Sequence, residues 1–340
     1  MVKTTGVKLG IIGCGNYAES LADGIRKCQH ADLVSCYDVI AERSQKFSSR
    51  YECGMETSYE NLLKRNDIDG VLLVTPNAEH AEQTVKAADY GKHVFVEKPF
   101  TATTAQAVHL IQLAEKLHLK ILVDHTFLFS GAVVKIKEMI DNKDLGKVFY
   151  YDSVRINLGL FQHDINVVWD LAPHDFAIMN YLIQEKPVSL SAFGKSHVNH
   201  HADIAYITVH FESNIIAHFS VNWLSPVKIR SILVGGEKKM VVWNDINADE
   251  KVKVYDKGID VTSKEGMYDM LVNYRSGDVL SPQISQTEAL KNECEHFVDC
   301  IEKDKTPISD GYAGLEVVRM LETCDESLRN NGKTIKLNYA

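Results

Sequence analysis

The stretch Val7–Ala18, VKLGIIGCGNYA, constrains this chain more than any other. An apolar run suited to a buried strand breaks at Gly13-Cys14-Gly15-Asn16-Tyr17-Ala18, and a helical pattern starts near Tyr17. Strand, glycine turn and helix in that order match what a dinucleotide pyrophosphate needs. Gly13 permits the tight turn, Gly15 lets backbone approach a phosphate, and Ala18 leaves room for the helix to pack on the strand. The first N–H groups of the helix then face the anion. Asp38 closes the next apolar run, Leu33–Tyr37, about 20 residues further on, where such a fold places the carboxylate that bonds the adenine ribose hydroxyls. That charge favours NAD. NADP stays possible if Arg43 folds back to offset it.

The chain's 340 residues suffice for two domains with real cores. A hydrophobic fraction of 45% and a charged fraction of 24% are those of a globular protein. The sequence has no apolar run approaching the ~20 residues of a membrane span and no signal-peptide core, so a cytoplasmic protein without a membrane partner is expected. The net charge of −9 argues against a nucleic-acid partner. Seven cysteines with no CxxC pair predict reduced, packed thiols, and no metal site is expected.

Residues 1–124 alternate short apolar runs (7–12, 33–38, 71–75, 93–97, 120–124) with helical patterns (17–28, 41–50, 78–90, 104–118). This predicts an α/β domain, a doubly wound parallel sheet with helices on both faces. Ligands in such sheets sit outside the carboxyl ends of the strands. Those ends carry Gly13, Asp38, Thr75-Pro76-Asn77, Glu97-Lys98-Pro99 and Asp124-His125. Residues 125–340 change character. Period-two runs at 147–158, 188–198, 203–212, 215–224, 228–235 and 238–243, with helices near 131–142, 165–184, 286–303 and 311–329, predict an α+β domain on a large open, mostly antiparallel sheet. Residues 256–285 read ambiguously.

Two groups are equipped to move a proton. Pro99 keeps Lys98 out of helical conformation, extended at the sheet rim, where its ammonium can bond a substrate hydroxyl. Alone, a lysine before proline is more often a solvated loop residue. In Asp170-Leu171-Ala172-Pro173-His174, the aspartate and histidine lie four apart and share a helix face. His174 is a natural general base near neutral pH, and Asp170 can orient substrate or imidazole. The alternatives are a helix broken at Pro173, or a capping aspartate with a packed histidine. Trp169 reads more readily as a packing anchor than as a cofactor stack. His197, His200 and His201 read as a polar surface turn.

Gly13-Cys14-Gly15-Asn16-Tyr17-Ala18, Thr75-Pro76-Asn77 with His80, Glu97-Lys98-Pro99, and Asp170 with His174 together resemble the Gfo/Idh/MocA oxidoreductases, in order and spacing over nearly the whole chain. The resemblance implies an N-terminal Rossmann domain and a C-terminal domain whose open sheet mediates homodimers or homotetramers. It implies NAD contacts from Asn16, Tyr17, Thr75, Pro76, Asn77, His80, Glu97, Lys98 and His125 beside the glycines and Asp38. It also implies Lys98 in an often cis Lys-Pro turn, His174 as acid/base, and Asp170 beside a sugar. Asp124 departs from common members, where a smaller residue often precedes the histidine.

The stretch Gly159–Trp169 looks like the branch found with nucleotide-sugar enzymes, including UDP-N-acetylhexosamine or hexuronate 3-dehydrogenases of polysaccharide biosynthesis. Arg155 and Asn157, on the preceding strand, are the candidate substrate contacts. The expected activity is hydride transfer between nicotinamide and a sugar secondary alcohol or ketone, with a nucleotide-linked sugar as substrate. Alternatives are a free-sugar, inositol or trans-diol dehydrogenase, and a catalytically silent NAD-binding regulator.

Overall fold

The computed structural model describes residues 6–159, 165–261 and 272–339. Residues 160–164 of the nucleotide-sugar-like stretch lie outside them, as does part of the ambiguous segment.

The chain opens with β1 (Val7–Ile12), α1 (Asn16–Arg26), β2 (Ala31–Tyr37), α2 (Ala41–Tyr51), β3 (Gly54–Met55), α3 (Tyr59–Leu63), β4 (Gly70–Leu73), α4 (Asn77–Asp89), β5 (His93–Val96), α5 (Thr104–Leu117) and β6 (Ile121–Val123). The six strands are parallel, in the order β3-β2-β1-β4-β5-β6. Leu9, Ile11, Ile12, Leu72, Leu73 and Phe95 are at most 2% exposed, because helices cover both faces of the sheet. The strand order reverses beside β1, which opens a crevice past the carboxyl ends of β1 and β4. The short β3 and α3 carry too few residues to show a period in the sequence.

Next come α6 (Gly131–Asp141), β7 (Val148–Leu158), α7 (Val167–Leu182), β8 (Pro187–Lys195), β9 (Ile204–Phe211), β10 (Ile216–Asn222), β11 (Leu224–Gly236), β12 (Met240–Asn244), β13 (Val252–Val261), β14 (Val272–Leu280), α8 (Ala289–Glu302), α9 (Gly311–Arg329) and β15 (Ile335–Lys336). Among the described residues nine strands join in the order β14-β13-β12-β11-β7-β10-β9-β8-β15. Every pair is antiparallel except β7 with β10. Ala217, Phe219 and Val221 are fully buried beneath α7, with Phe176 edge-on to Phe219 at 4.9 Å, while His218 and Ser220 point to the other, open face. The ambiguous segment contributes the β13–β14 ladder.

Two compact units result: residues up to Ser130 together with Thr287–Arg319, and Gly131–Gln286 together with Met320 onward. The sequence places a single boundary after residue 124; the structure instead draws α8 into the first unit. The reason is packing. Cys294, Phe297 and Val298 on α8 complete the core formed by Leu21, Ile25 and Phe95, and Phe297 meets Phe95 edge-on at 5.7 Å. No helix among the described residues is long and apolar enough to cross a membrane.

Candidate active site

Gly13 has φ +91°, and a Cβ there would lie 2.2 Å from the Val74 carbonyl oxygen, so only glycine fits. Its N–H donates to the Tyr37 carbonyl at 2.8 Å, which ties the turn to β2. Gly15 precedes α1 as its N-cap and differs in kind: a Cβ there would meet nothing within 4 Å. The backbone therefore faces an open space at a helix N-terminus, the cradle a pyrophosphate requires. Ala18 is fully buried. Asp38 is 9% exposed and accepts 2.8 Å hydrogen bonds from Cys14 N–H on Oδ2 and Ile40 N–H on Oδ1. Each carboxylate oxygen keeps a second lone pair for a ribose hydroxyl, so these residues fit a dinucleotide.

Asn16 is exposed, and Tyr17 is pinned by a cluster that the sequence did not announce. The Tyr17 hydroxyl donates to Asp124 Oδ2, and the Thr126 hydroxyl to Asp124 Oδ1, both at 2.5 Å. Glu293 on α8 is buried beside Asp124. Burial, then the neighbouring Asp124 charge, pushes its carboxyl well above the usual carboxylate range. Asp124, the departure from the resembled pattern, thus serves as the acceptor that fixes Tyr17.

Thr75 bonds Gln83 Oε1 at 2.7 Å, Pro76 is exposed as the N-cap of α4, and Asn77 opens that helix. His80 corrects an expectation. It is fully buried, with Nδ1 2.9 Å from the Pro99 carbonyl oxygen and Nε2 2.9 Å from that of Thr75. The ring is wedged between two carbonyls and donates its N–H to one of them, so His80 packs against the Lys98-Pro99 turn, away from solvent. Burial lowers its pKa against the pull of the two carbonyls. Glu97 and Lys98 are half-buried on that turn, and the Lys98–Pro99 bond is cis. His125, just past β6, is 1% exposed, and neither ring nitrogen has a hydrogen-bond partner among the described residues. Burial, then the Lys98 ammonium, lowers its pKa to about 3, which keeps the imidazole neutral.

In the second unit, α7 runs unbroken through Pro173. Asn166 caps it, accepting from Val168 N–H at 3.0 Å and Trp169 N–H at 3.2 Å. Asp170 and His174 share a half-buried stripe on a helix whose neighbouring positions Trp169, Ala172, Pro173 and Asp175 are buried. The Trp169 indole donates to Asp325 Oδ2 at 2.8 Å, so Trp169 anchors the helix. Trp223 donates from Nε1 to Asp170 Oδ2 at 2.9 Å, a contact invisible in the sequence, where Trp223 reads as plain sheet core.

Arg155 also corrects an expectation. It is 4% exposed and donates twice to Asp175, Nε to Oδ2 at 3.0 Å and Nη2 to Oδ1 at 2.7 Å. Burial works against its charge, but Asp175 outweighs burial and holds the guanidinium above its ordinary value. A guanidinium held this way positions α7 from below. Asn157, two residues on, is half-buried on the same strand face. His197 pairs through Nδ1 with the buried Asp203 at 2.8 Å.

Residues 7–125 match the oxidoreductase family with an NAD-binding Rossmann fold, and residues 137–337 match that family's C-terminal α/β domain. The chain belongs to the Gfo/Idh/MocA oxidoreductase family. The chain is 25% identical over 321 residues to UDP-N-acetylglucosamine 3-dehydrogenase of Acidithiobacillus ferrooxidans, covering 92% of this chain and 94% of that one. It is 24% identical over 334 residues to scyllo-inositol 2-dehydrogenase (NAD(+)) of Bacillus subtilis, covering 92% of each. The crystal structure of scyllo-inositol dehydrogenase from Lactobacillus casei, with bound NAD(H) and scyllo-inositol, superposes with a TM-score of 0.80 at 18% identity, over 98% of this chain and 99% of that one. This Gfo/Idh/MocA member is accordingly an NAD-dependent oxidoreductase.

Proposed function

We propose that this enzyme oxidises or reduces a secondary alcohol of a sugar or polyol, with His174 as the proton-transferring group and Lys98 as the polarising cation. Bound NAD supplies the hydride acceptor or donor. In the oxidative direction His174 removes the hydroxyl proton while the Lys98 ammonium stabilises negative charge growing on the same oxygen. Asp170 accepts a hydrogen bond from a neighbouring hydroxyl and fixes which carbon reacts. Gly13, Gly15, Tyr17 and Asp38 bind the dinucleotide, and Asn16, Thr75, Asn77, Glu97 and His125 complete its surroundings. The observation that carries the reading is the half-buried stripe of Asp170, Leu171 and His174, which sets an aspartate and a histidine one turn apart on a largely buried helix.

A nucleotide-linked sugar is one reading of the substrate, supported by the likeness to the UDP-N-acetylglucosamine enzyme. A free polyol is the second, supported by the likeness to the scyllo-inositol enzyme of Bacillus subtilis. The outward sheet face, with Phe193 58% and Tyr206 52% exposed, is the surface through which a homodimer or homotetramer would form. Offering UDP-sugars, TDP-keto-sugars and free polyols in parallel, while following reduced-nicotinamide absorbance, separates the substrate readings. Lys98→Met is expected to abolish turnover and leave NAD binding intact. Unchanged turnover in that variant would overturn the catalytic assignment.

A further inference from the structure

We propose that Trp223 is the positioning residue of this site, holding the Asp170 carboxylate in the one orientation that serves substrate. The proposal rests on the reading of Asp170 as a substrate-side group. Trp223 is fully buried, and an indole has one polar atom, a donor. A buried indole N–H left without an acceptor costs about 1–3 kcal/mol, so it must find one. Here it finds Oδ2 of Asp170 at 2.9 Å, on the half-buried stripe that also bears His174.

Trp223 is itself immobilised from several sides. Its backbone N–H donates to the Asp203 carbonyl at 2.9 Å, and its backbone carbonyl accepts from Gly159 N–H at 2.9 Å. Asp203 is in turn held by the backbone N–H groups of His197 and Val198 and by the His197 ring. A Cβ on Gly159 would lie 2.6 Å from the indole Cδ1, so the end of β7 closes directly on the ring. A rigid donor of this kind selects one Asp170 rotamer and directs its other oxygen.

The test compares Trp223→Phe, which removes the donor, with an isosteric replacement by benzothienylalanine, which exchanges N–H for sulfur at constant ring volume. Both are measured in the NAD-bound protein, alone and combined with Asp170→Asn. The expected result is a kcat reduced roughly tenfold to a hundredfold, the scale of a hydrogen bond to a charged group, with NAD affinity and Tm unchanged for the isostere. In the Asp170→Asn background neither replacement should reduce kcat further, because the carboxylate through which they act is gone. Wild-type kcat in the isostere, or losses that multiply with that of Asp170→Asn, would overturn the proposal. The indole N–H resonance of Trp223 gives a readout independent of turnover. It should move and exchange faster with water in Asp170→Asn; an unmoved resonance overturns the contact. If no sugar or polyol is turned over, the reading of the activity fails while this resonance still decides the contact.

Discussion

Arg155 and Asp175 form a two-point ion pair, 5% and 2% exposed at their side chains, one residue beyond His174 along α7. The pair clamps the turn of helix that carries His174 onto strand β7. Two charges in so dry a place are stable only together, since each alone would keep its desolvation cost and lose its partner.

Removing one partner should therefore be severe. Arg155→Met is expected to cost about 3–5 kcal/mol of stability by leaving Asp175 buried and unpaired. Denaturant unfolding of the variant measures this, and a loss within the range of an ordinary surface substitution would show the pair to be dispensable.

The two glycines of the dinucleotide turn should fail differently. Gly13→Ala places a methyl against the Val74 carbonyl at φ +91°, so stability falls by more than the roughly 1–3 kcal/mol of backbone strain alone. Gly15→Ala meets no protein atom. That variant should keep its wild-type Tm and lose NAD affinity by about tenfold or more, because the added methyl occupies the phosphate cradle. Thermal unfolding and cofactor titration of both variants make the comparison.

Asp38 should set the choice between cofactors. Asp38→Ser removes the charge that repels a 2′-phosphate and leaves Arg43 nearby in sequence. The NAD-to-NADP ratio of kcat/KM is expected to fall by at least about tenfold. A ratio that stays constant would mean the ribose lies elsewhere.

Glu293 gives a pH dependence with a definite sign. Its folded pKa is raised above the unfolded value, first by burial and then by Asp124. Folding therefore holds a proton that the unfolded chain releases, and stability declines as pH rises from the ordinary glutamate range toward the folded pKa. Glu293→Gln keeps the shape without the titration. Its Tm should gain on wild type progressively as pH rises above the ordinary glutamate range, and parallel Tm curves would refute the raised carboxyl.

Local chemistry was legible without coordinates. The glycine turn, Asp38 and the strand-end residues are set by neighbours in sequence, because turn conformation and strand-to-helix order depend on a few consecutive side chains. The period-two run at 215–224 likewise marked a strand with one covered face, and Ala217, Phe219 and Val221 on it are fully buried.

Contacts over long separations were decided only in three dimensions. Nothing in the residues flanking Arg155 reveals Asp175, just as nothing near Tyr17 reveals Asp124 or Glu293, which lie more than a hundred positions away. A charge on a strand reads equally well as a ligand contact or as half of a buried pair. The sequence by itself determined a dinucleotide-binding sheet followed by an open antiparallel one, because hydrophobic period and glycine placement are local quantities. Which polar groups stay available to a ligand was decided by tertiary packing, since a side chain's hydrogen-bonding capacity is finite and the folded neighbours claim it first.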